Sequence, residues 1–157
     1  MAALVTPVVP GLEPAFTVDA RLGPLEDHGL TRAGHRRVVP VAGGQVSGVL
    51  DAAILPGGAD WQLVRPDGAI EIDTRYSART AAGEHVHFRT SGVRSGPPAV
   101  LAALLRGEDV DPASYYFRVA VYLETSAPRL AFLERSIFVA SAVRAADSVS
   151  YTAYRVT

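Results

Sequence analysis

The stretch Ala69–Thr80, AIEIDTRYSART, alternates between two kinds of side chain along its whole length. From Ile70 onward, the even positions carry Ile, Ile, Thr, Tyr and Ala, whereas the odd positions carry Glu, Asp, Arg, Ser and Arg. Successive side chains of a strand point to opposite faces, so this period of two predicts a strand with one packed face and one wet face. A short turn at Ala82-Gly83 leads to a second amphipathic segment, His85–Ser91. Together they predict a hairpin in an antiparallel sheet.

Other segments with similar alternation surround this hairpin. The further predicted strands are Phe16–Leu22, His35–Val41, Gln45–Ile54, Trp61–Arg65, Tyr115–Thr125, Ala131–Val143 and Val149–Val156. Gly43-Gly44 is expected to end one strand, and residues 25–34 are expected to form a loop. Residues 97–106 are the only predicted helix, because two prolines open an apolar stripe that Gly107 closes. The pattern indicates an all-β domain with one short helix, either a sandwich or a barrel.

The chain length and its N-terminal composition predict the domain organisation. Residues 1–14 are proline-rich and predict an irregular arm, and residues 15–157 are long enough for a single domain with its own core. The N-terminus has no positively charged segment typical of a signal peptide, so a cytoplasmic protein is expected. No apolar run approaches the length of a membrane span, so no membrane partner is expected.

The charge balance and the missing residue types exclude several chemistries. The 15 basic and 16 acidic residues are interspersed and give a net charge of -1, so the basic stripe of a nucleic-acid binder is absent. The chain has no Cys and no Lys, since every basic residue is Arg. Thiol nucleophiles, Cys-ligated metals and lysine Schiff bases are therefore excluded, and no cofactor is expected.

Two motifs carry a resemblance to a known family. Leu55–Trp61 reads LPGGADW, and Tyr115–Arg118 reads YYFR and is followed by Glu124-Thr125. In this order the motifs resemble the domain-of-unknown-function 3237 family, and matches of this kind extend from about Phe16 to Tyr154. The resemblance implies an antiparallel β-barrel of calycin-like or allene-oxide-cyclase-like shape, often a homodimer. It implies no particular activity.

The predicted strand Tyr115–Thr125 has the most informative polar face. Its even positions include Tyr116, Arg118, Tyr122 and Glu124. If this face lines the lumen of a barrel, it supplies an anion-binding guanidinium, a carboxylate and two phenols to a small organic molecule. The alternative is an outward face that is covered by a neighbouring strand or by a dimer partner.

Three further residues extend this hypothetical site. Asp60 follows a Pro-Gly-Gly turn, where it either acts as a base or caps the turn through its own backbone. Trp61 is expected in the core or in a pocket wall. Tyr76 lies on the apolar face of its strand, so its hydroxyl group needs an internal partner, for which Asp60 and Arg118 are the candidates.

His85 and His87 are the one pair with a spacing typical of metal ligands. Side chains two apart on a strand point the same way, as in the His-x-His pairs of metal-binding barrels. Arg89 continues the same face, and no third histidine is near in the sequence. We therefore expect an exposed pair and no metal site.

These observations favour a small-molecule-binding barrel that acts as a cofactor-independent cyclase, isomerase or lyase on a hydrophobic, secondary-metabolite-like intermediate. In this hypothesis Arg118 polarises a carbonyl group and Asp60 or Glu124 is the base. The other expected members are hydrogen-bond donors and cavity walls: Tyr76, Tyr116, Tyr122, Trp61 and Phe117. The alternatives are a non-catalytic carrier of a small apolar ligand and a structural dimeric barrel filled by its own side chains.

Overall fold

The computed structural model describes Met1 and residues 4–157. The described residues form ten strands: β1 (Leu12–Leu22), β2 (Glu26–Thr31), β3 (Gly34–Gly48), β4 (Ala52–Ile54), β5 (Gly58–Val64), β6 (Ile70–Arg79), β7 (His85–Ser95), β8 (Tyr116–Thr125), β9 (Ile137–Arg144) and β10 (Ser148–Val156). They also form one α-helix, α1 (Pro98–Leu105), and two 3-10 segments, Pro112–Ser114 and Pro128–Arg135. None of the described helices has the length and apolar character required to cross a bilayer.

The strands close into an antiparallel barrel. The pairing runs β1-β10-β9-β8-β7-β6, continues through β4 and β5 to β3, and returns from β3 to β1. Strands β4 and β5 follow one another along the same gap between β3 and β6, so the ring has eight positions. β2 pairs with the first part of β3 alone. The predicted all-β class is confirmed, and the structure is a barrel and not a sandwich.

The alternation that predicts the central hairpin decides which side chains enter the barrel. In β6 the four apolar residues Ile70, Ile72, Tyr76 and Ala78 are buried. Across the β6–β7 ladder Tyr76 pairs with Phe88, which is also fully buried. Burying one face of every strand fixes the register, because a slip by one residue would turn the apolar set outward.

Gly43-Gly44 bends β3, whereas the sequence predicts that these two glycines end a strand. β3 continues through Gly43-Gly44 to Gly48, so the expectation of two separate strands is wrong. Gly44 has a φ of +135°, and a Cβ atom there would lie 2.0 Å from the backbone oxygen of Asp19 on β1. Only a residue without a side chain allows β1 and β3 to approach this closely. The glycines therefore form a corner of the barrel.

Other boundaries also differ from the predicted ones. β2 occupies part of the expected loop at 25–34, and β1 begins at Leu12, inside the expected irregular arm. Most β2 side chains are exposed on both faces, so the strand has no apolar alternation that would reveal it. The segment Pro128–Arg135 is a 3-10 segment where the sequence predicts the start of a strand.

One end of the barrel is closed by apolar side chains. The 3-10 segment Pro128–Arg135 buries Leu130 and Leu133, each 1% exposed, in the same core cluster as Phe88. An ion pair between Arg129 and Glu84 joins this segment to the β6–β7 turn. The phenylalanines of the cluster pack edge-on or tilted against one another, with Phe16 in contact with both Phe88 and Phe138.

Candidate functional site

β8 presents its apolar face to the lumen and its polar face to solvent. Phe117 is 4% exposed, whereas Tyr116 and Tyr122 are 53% and 55% exposed. Arg118 and Glu124 are exposed as well. The expectation that the even positions of this strand line the lumen is therefore wrong. The odd positions are uniformly apolar or aromatic. Burying them therefore removes more apolar surface from water than burying the mixed face would.

Two other expected features lie outside the barrel. Trp61 is 40% exposed on the outer face of β5 and does not line the lumen. His85 and His87 are exposed on the outer face of β7. Among the described residues, no three His, Cys, Asp or Glu side chains lie close enough together to hold a metal ion.

The lumen contains two adjoining cavities at the end away from Phe16, Phe88 and Phe138, none of which lines either cavity. The inner cavity has a volume of about 50 Å³ and the outer one a volume of about 500 Å³. Five residues line both cavities and so mark the passage between them: Leu22, Val39, Gln62, Arg94 and Arg144. The rim of the outer cavity includes Leu104 and Leu105 of α1 and the loop residues Pro24 and Leu25. The lumen is therefore open at this end.

Asp60 is held in the lumen by hydrogen bonds from two directions. Its Oδ2 accepts from Nε2 of Gln62 at 2.9 Å, and its Oδ1 accepts from the backbone N–H of Asp73 at 3.1 Å. Burial raises the pKa of Asp60 above its usual value, and the hydrogen bonds from Gln62 and Asp73 offset part of that rise. The carboxyl group is thus easier to protonate than an exposed aspartate.

Three arginines are electrostatically coupled to this carboxyl group: Arg37, Arg94 and Arg144. Arg94 is 5% exposed, and its guanidinium carbon lies 5.4 Å from the ring centroid of Phe117. Burial lowers the pKa of Arg94 to about 10, and the nearby positive charge of Arg144 adds to this effect. Arg94 therefore remains a cation at neutral pH.

Arg144 is anchored by the turn between β9 and β10. Its Nη1 donates to the backbone oxygens of Ala145, of Ala146 at 3.3 Å and of Ser148 at 3.2 Å. Its backbone N–H donates to the hydroxyl oxygen of Tyr115 at 3.1 Å. This anchoring places a fixed positive charge at the passage between the cavities.

A pair of tyrosines forms the floor of the inner cavity. The hydroxyl groups of Tyr76 and Tyr151 lie 2.5 Å apart, and both side chains are buried. The ring of Tyr76 stacks on Phe88 with their centroids 4.9 Å apart. Burial raises the pKa of both hydroxyl groups, so the pair stays neutral. The partner of Tyr76 is Tyr151, not Asp60 or Arg118 as the sequence suggests.

The tyrosine pair leads to a stability prediction. Tyr76→Phe leaves the hydroxyl group of Tyr151 buried without its partner, so we expect the free energy of unfolding to fall by about 1–3 kcal/mol. Tyr151→Phe should cost a similar amount, whereas the double variant should lose less than the sum of the two. Urea denaturation of the three variants measures this coupling. Strict additivity would show that the hydroxyl groups do not stabilise each other.

Of the residues singled out in the sequence, Asp60, Tyr76 and Phe117 line the inner cavity. Several lumen residues with polar side chains are not found from the sequence, among them Arg37, Gln62, Arg94, Arg144 and Tyr151. The alternation of β7 was a usable signal for one of them. Extended past Ser91, it places Arg94 on the same face as Phe88, and an arginine on an apolar face indicates an interior role.

The lumen therefore combines a buried carboxyl group, cationic hydrogen-bond donors and neutral phenols around a small, mostly apolar cavity. A carboxylate with a raised pKa can accept a proton from a weak carbon acid, and guanidinium groups stabilise negative charge on oxygen. The arrangement suits acid–base chemistry on a small organic molecule.

Comparison with known proteins supports the fold and the family. The family model described as "Protein of unknown function (DUF3237)" matches residues 10–156. A UPF0311 protein of Bradyrhizobium diazoefficiens is 41% identical over 141 residues, which cover 90% of this chain and 93% of the relative. The crystal structure of a conserved protein of unknown function from Rhodopseudomonas palustris has a TM-score of 0.87 and 38% identity, covering 96% of this chain and 100% of the other. The crystal structure of an enzyme from Penicillium herquei has a TM-score of 0.71 and 19% identity, with 98% of each chain covered, which shows a shared fold.

Proposed function

The chain belongs to the DUF3237 family, and within that family we propose that this barrel is a cofactor-independent enzyme that moves a proton on a small organic molecule held in its lumen. Proton transfer next to a carbonyl group underlies cyclisation, isomerisation and elimination. The observation that carries the proposal is the position of Asp60, the one carboxylate among the described residues that line the inner cavity.

Asp60 is the proposed base. Its side chain is 8% exposed, and burial raises its pKa, so its carboxylate is a stronger base than that of an exposed aspartate. Gln62 and the backbone N–H of Asp73 hold both oxygens in place. A base that is already oriented does not lose conformational freedom during the reaction.

The arginines would stabilise the negative charge that appears on oxygen when the proton leaves carbon. Arg94 borders both cavities and lies over the ring of Phe117, which limits its motion. Arg144 is fixed by the β9–β10 turn. This assigns to Arg94 the role that the sequence analysis expects of Arg118. The enzyme of Penicillium herquei supports the view that this fold is compatible with catalysis.

Hydrogen–deuterium exchange tests the proposal without knowledge of the natural substrate. The purified protein is incubated in D2O with a panel of small ketones such as phenylacetone, and loss of the α-proton signals is followed by NMR. We expect catalysed exchange for at least one member. Asp60→Asn should lower that rate by about 10²–10⁴-fold, the usual contribution of a general base. Exposed Asp109 provides the matched control, Asp109→Asn, which should leave the rate unchanged.

The outcomes separate an enzyme from a carrier. Exchange that is equally fast in wild type and Asp60→Asn would contradict the proposal. A lumen that retains a ligand but shows no exchange would favour the non-catalytic carrier. Native mass spectrometry of the purified protein, before and after denaturation, detects such a retained ligand.

The raised pKa of Asp60 leads to a pH prediction. Only the ionised carboxylate accepts a proton, so the exchange rate should rise with pH through the pKa of Asp60 and then level off. Because burial raises this pKa, the rise should be centred above 3.8, the ordinary value for aspartate. A rate that does not change with pH across this range would exclude Asp60 as the base.

A further inference from the structure

Two arginines of the lumen have buried nitrogen atoms without hydrogen-bond partners. Nε and Nη1 of Arg94 and Nε of Arg37 make no hydrogen bond to any described residue. The two side chains are 5% and 7% exposed. A buried cation that lacks a partner is costly, because the protein interior does not replace its lost hydration. These groups are therefore positioned for a partner that the chain itself does not supply.

The charge around the lumen is unbalanced. Arg37, Arg94 and Arg144 contribute three positive charges, and all three are electrostatically coupled to the buried carboxylate of Asp60. The exposed carboxylates of Asp27 and Asp147 act in addition on Arg37 and on Arg144, so Arg94 is the arginine with the least compensation. Both oxygens of Asp60 already accept hydrogen bonds from Gln62 and Asp73. No described carboxylate lies within 4.0 Å of any of the three guanidinium groups. An added anion would bring the site closer to neutrality.

We infer that the molecule held in the lumen is a small organic carboxylate, and this inference rests on the proposed function. Its anionic group binds Arg94 and Arg37, and its apolar part occupies the inner cavity. Arg144, which borders both cavities, then stabilises the charge on the reacting oxygen. Guanidinium groups match the planar geometry of a carboxylate and hydrogen-bond both of its oxygens.

The lining of the inner cavity determines the rest of the ligand. Its wall is mostly apolar or aromatic, and Val39, Ile72, Phe117, Val119 and the rings of Tyr76 and Tyr151 are among its members. This wall and the cavity volume of about 50 Å³ favour a compact hydrocarbon group over a second charged group. The hydroxyl groups of Tyr76 and Tyr151 can hydrogen-bond a single polar atom on the part of the ligand that occupies this cavity. An inorganic anion would leave this wall without a partner.

A set of matched acids and amides tests the inference. Acetate, isobutyrate, benzoate and phenylacetate are titrated into the protein, each against its neutral amide, and binding is followed by ligand-observed NMR. We expect at least one acid to bind about tenfold more tightly than its amide, as a charge-assisted hydrogen bond allows. Inorganic phosphate serves as a comparison probe and should bind more weakly than that acid. Equal binding of every acid and its amide, or tighter binding of phosphate, would overturn the inference.

Two kinds of variant test which side chain of the protein binds the carboxylate. Arg94→Gln should weaken binding of the acid by about tenfold and leave the amide unaffected. Arg79 lies on the outer face of β6. Arg79→Gln is the matched control and should leave binding of the acid unchanged. Asp60→Asn removes a negative charge from the lumen and should tighten binding of the acid. This second variant keeps the test decisive if Arg94→Gln does not fold.

The two proposals fail in different ways. If Asp60-dependent exchange occurs but acids bind no better than amides, the inference is wrong and the proposed function stands. If acids bind through Arg94 but no ketone or bound acid exchanges its α-protons, the lumen is a carboxylate-binding site and the proposed enzyme activity is wrong.

Discussion

Replacing Gly44 with alanine is expected to prevent β1 from pairing normally with β3. The added Cβ atom would lie 2.0 Å from the backbone oxygen of Asp19 and 2.9 Å from the Cα atom of Ala20. A φ of +135° also strains any residue with a side chain. We expect overpacking and backbone strain to cost about 1–3 kcal/mol each, which is a large part of the stability of a domain. Thermal and urea denaturation measure the loss.

Gly57 offers a matched control for this substitution. Its φ of +109° is also unusual for a residue with a side chain, yet no atom lies within 4 Å of the position that a Cβ atom would occupy. Gly57→Ala should therefore show the strain without the clash, and Gly44→Ala should be the more destabilising of the two. Equal losses would show that β1 can move away from β3 at little cost.

Replacing Phe88 with alanine is the second change for which we expect a large effect. Phe88 is 0% exposed, stacks on Tyr76 and meets the ring of Phe16 at 85°. Its removal leaves a cavity at the centre of the closed end, and the expected cost is about 3–5 kcal/mol. The tyrosine pair should also lose its fixed position, since the ring of Tyr76 rests on Phe88.

The exposed aromatic residue Phe132 controls for the substitution itself. It is 44% exposed on the 3-10 segment, so Phe132→Ala should cost much less than Phe88→Ala in urea denaturation. Near-ultraviolet circular dichroism reports whether the environment of the buried tyrosines changes. A Phe88→Ala protein as stable as Phe132→Ala would contradict the assignment of Phe88 to the core.

Sequence periodicity predicts the all-β class because burial of one face imposes it on nearly every strand. It predicts β6 and the inner residues of β7 well, since their apolar and polar positions are cleanly separated. It fails at β3, where Gly43-Gly44 resembles a terminator but permits a close crossing of β1. Whether a glycine ends a strand or bends it depends on what packs against it, and that partner is remote in sequence.

The candidate site is harder to predict than the fold. Asp60 and Tyr76 are found from the sequence because one follows a distinctive turn and the other interrupts an apolar face. The face of β8 that carries Arg118 is misread, because a mixed polar face is common to pockets and to outer walls. Arg94 and Arg144 lie near strand ends, where alternation is weakest, and only the closed ring brings them together with Asp60.

Because Phe16, Phe88, Phe138 and the 3-10 segment close one end of the barrel, the described residues leave the lumen open at the outer cavity. The rim of this opening includes Pro24, Leu25, Leu104 and Leu105, and Arg37, Arg94 and Arg144 line the cavity behind the rim. If the proposed function holds, reactant and product use the same opening, so a product that keeps a negative charge should compete with the reactant for the arginines of the outer cavity. For the proposed enzyme, a lumen that is closed at one end should therefore show product inhibition that is competitive with the reactant.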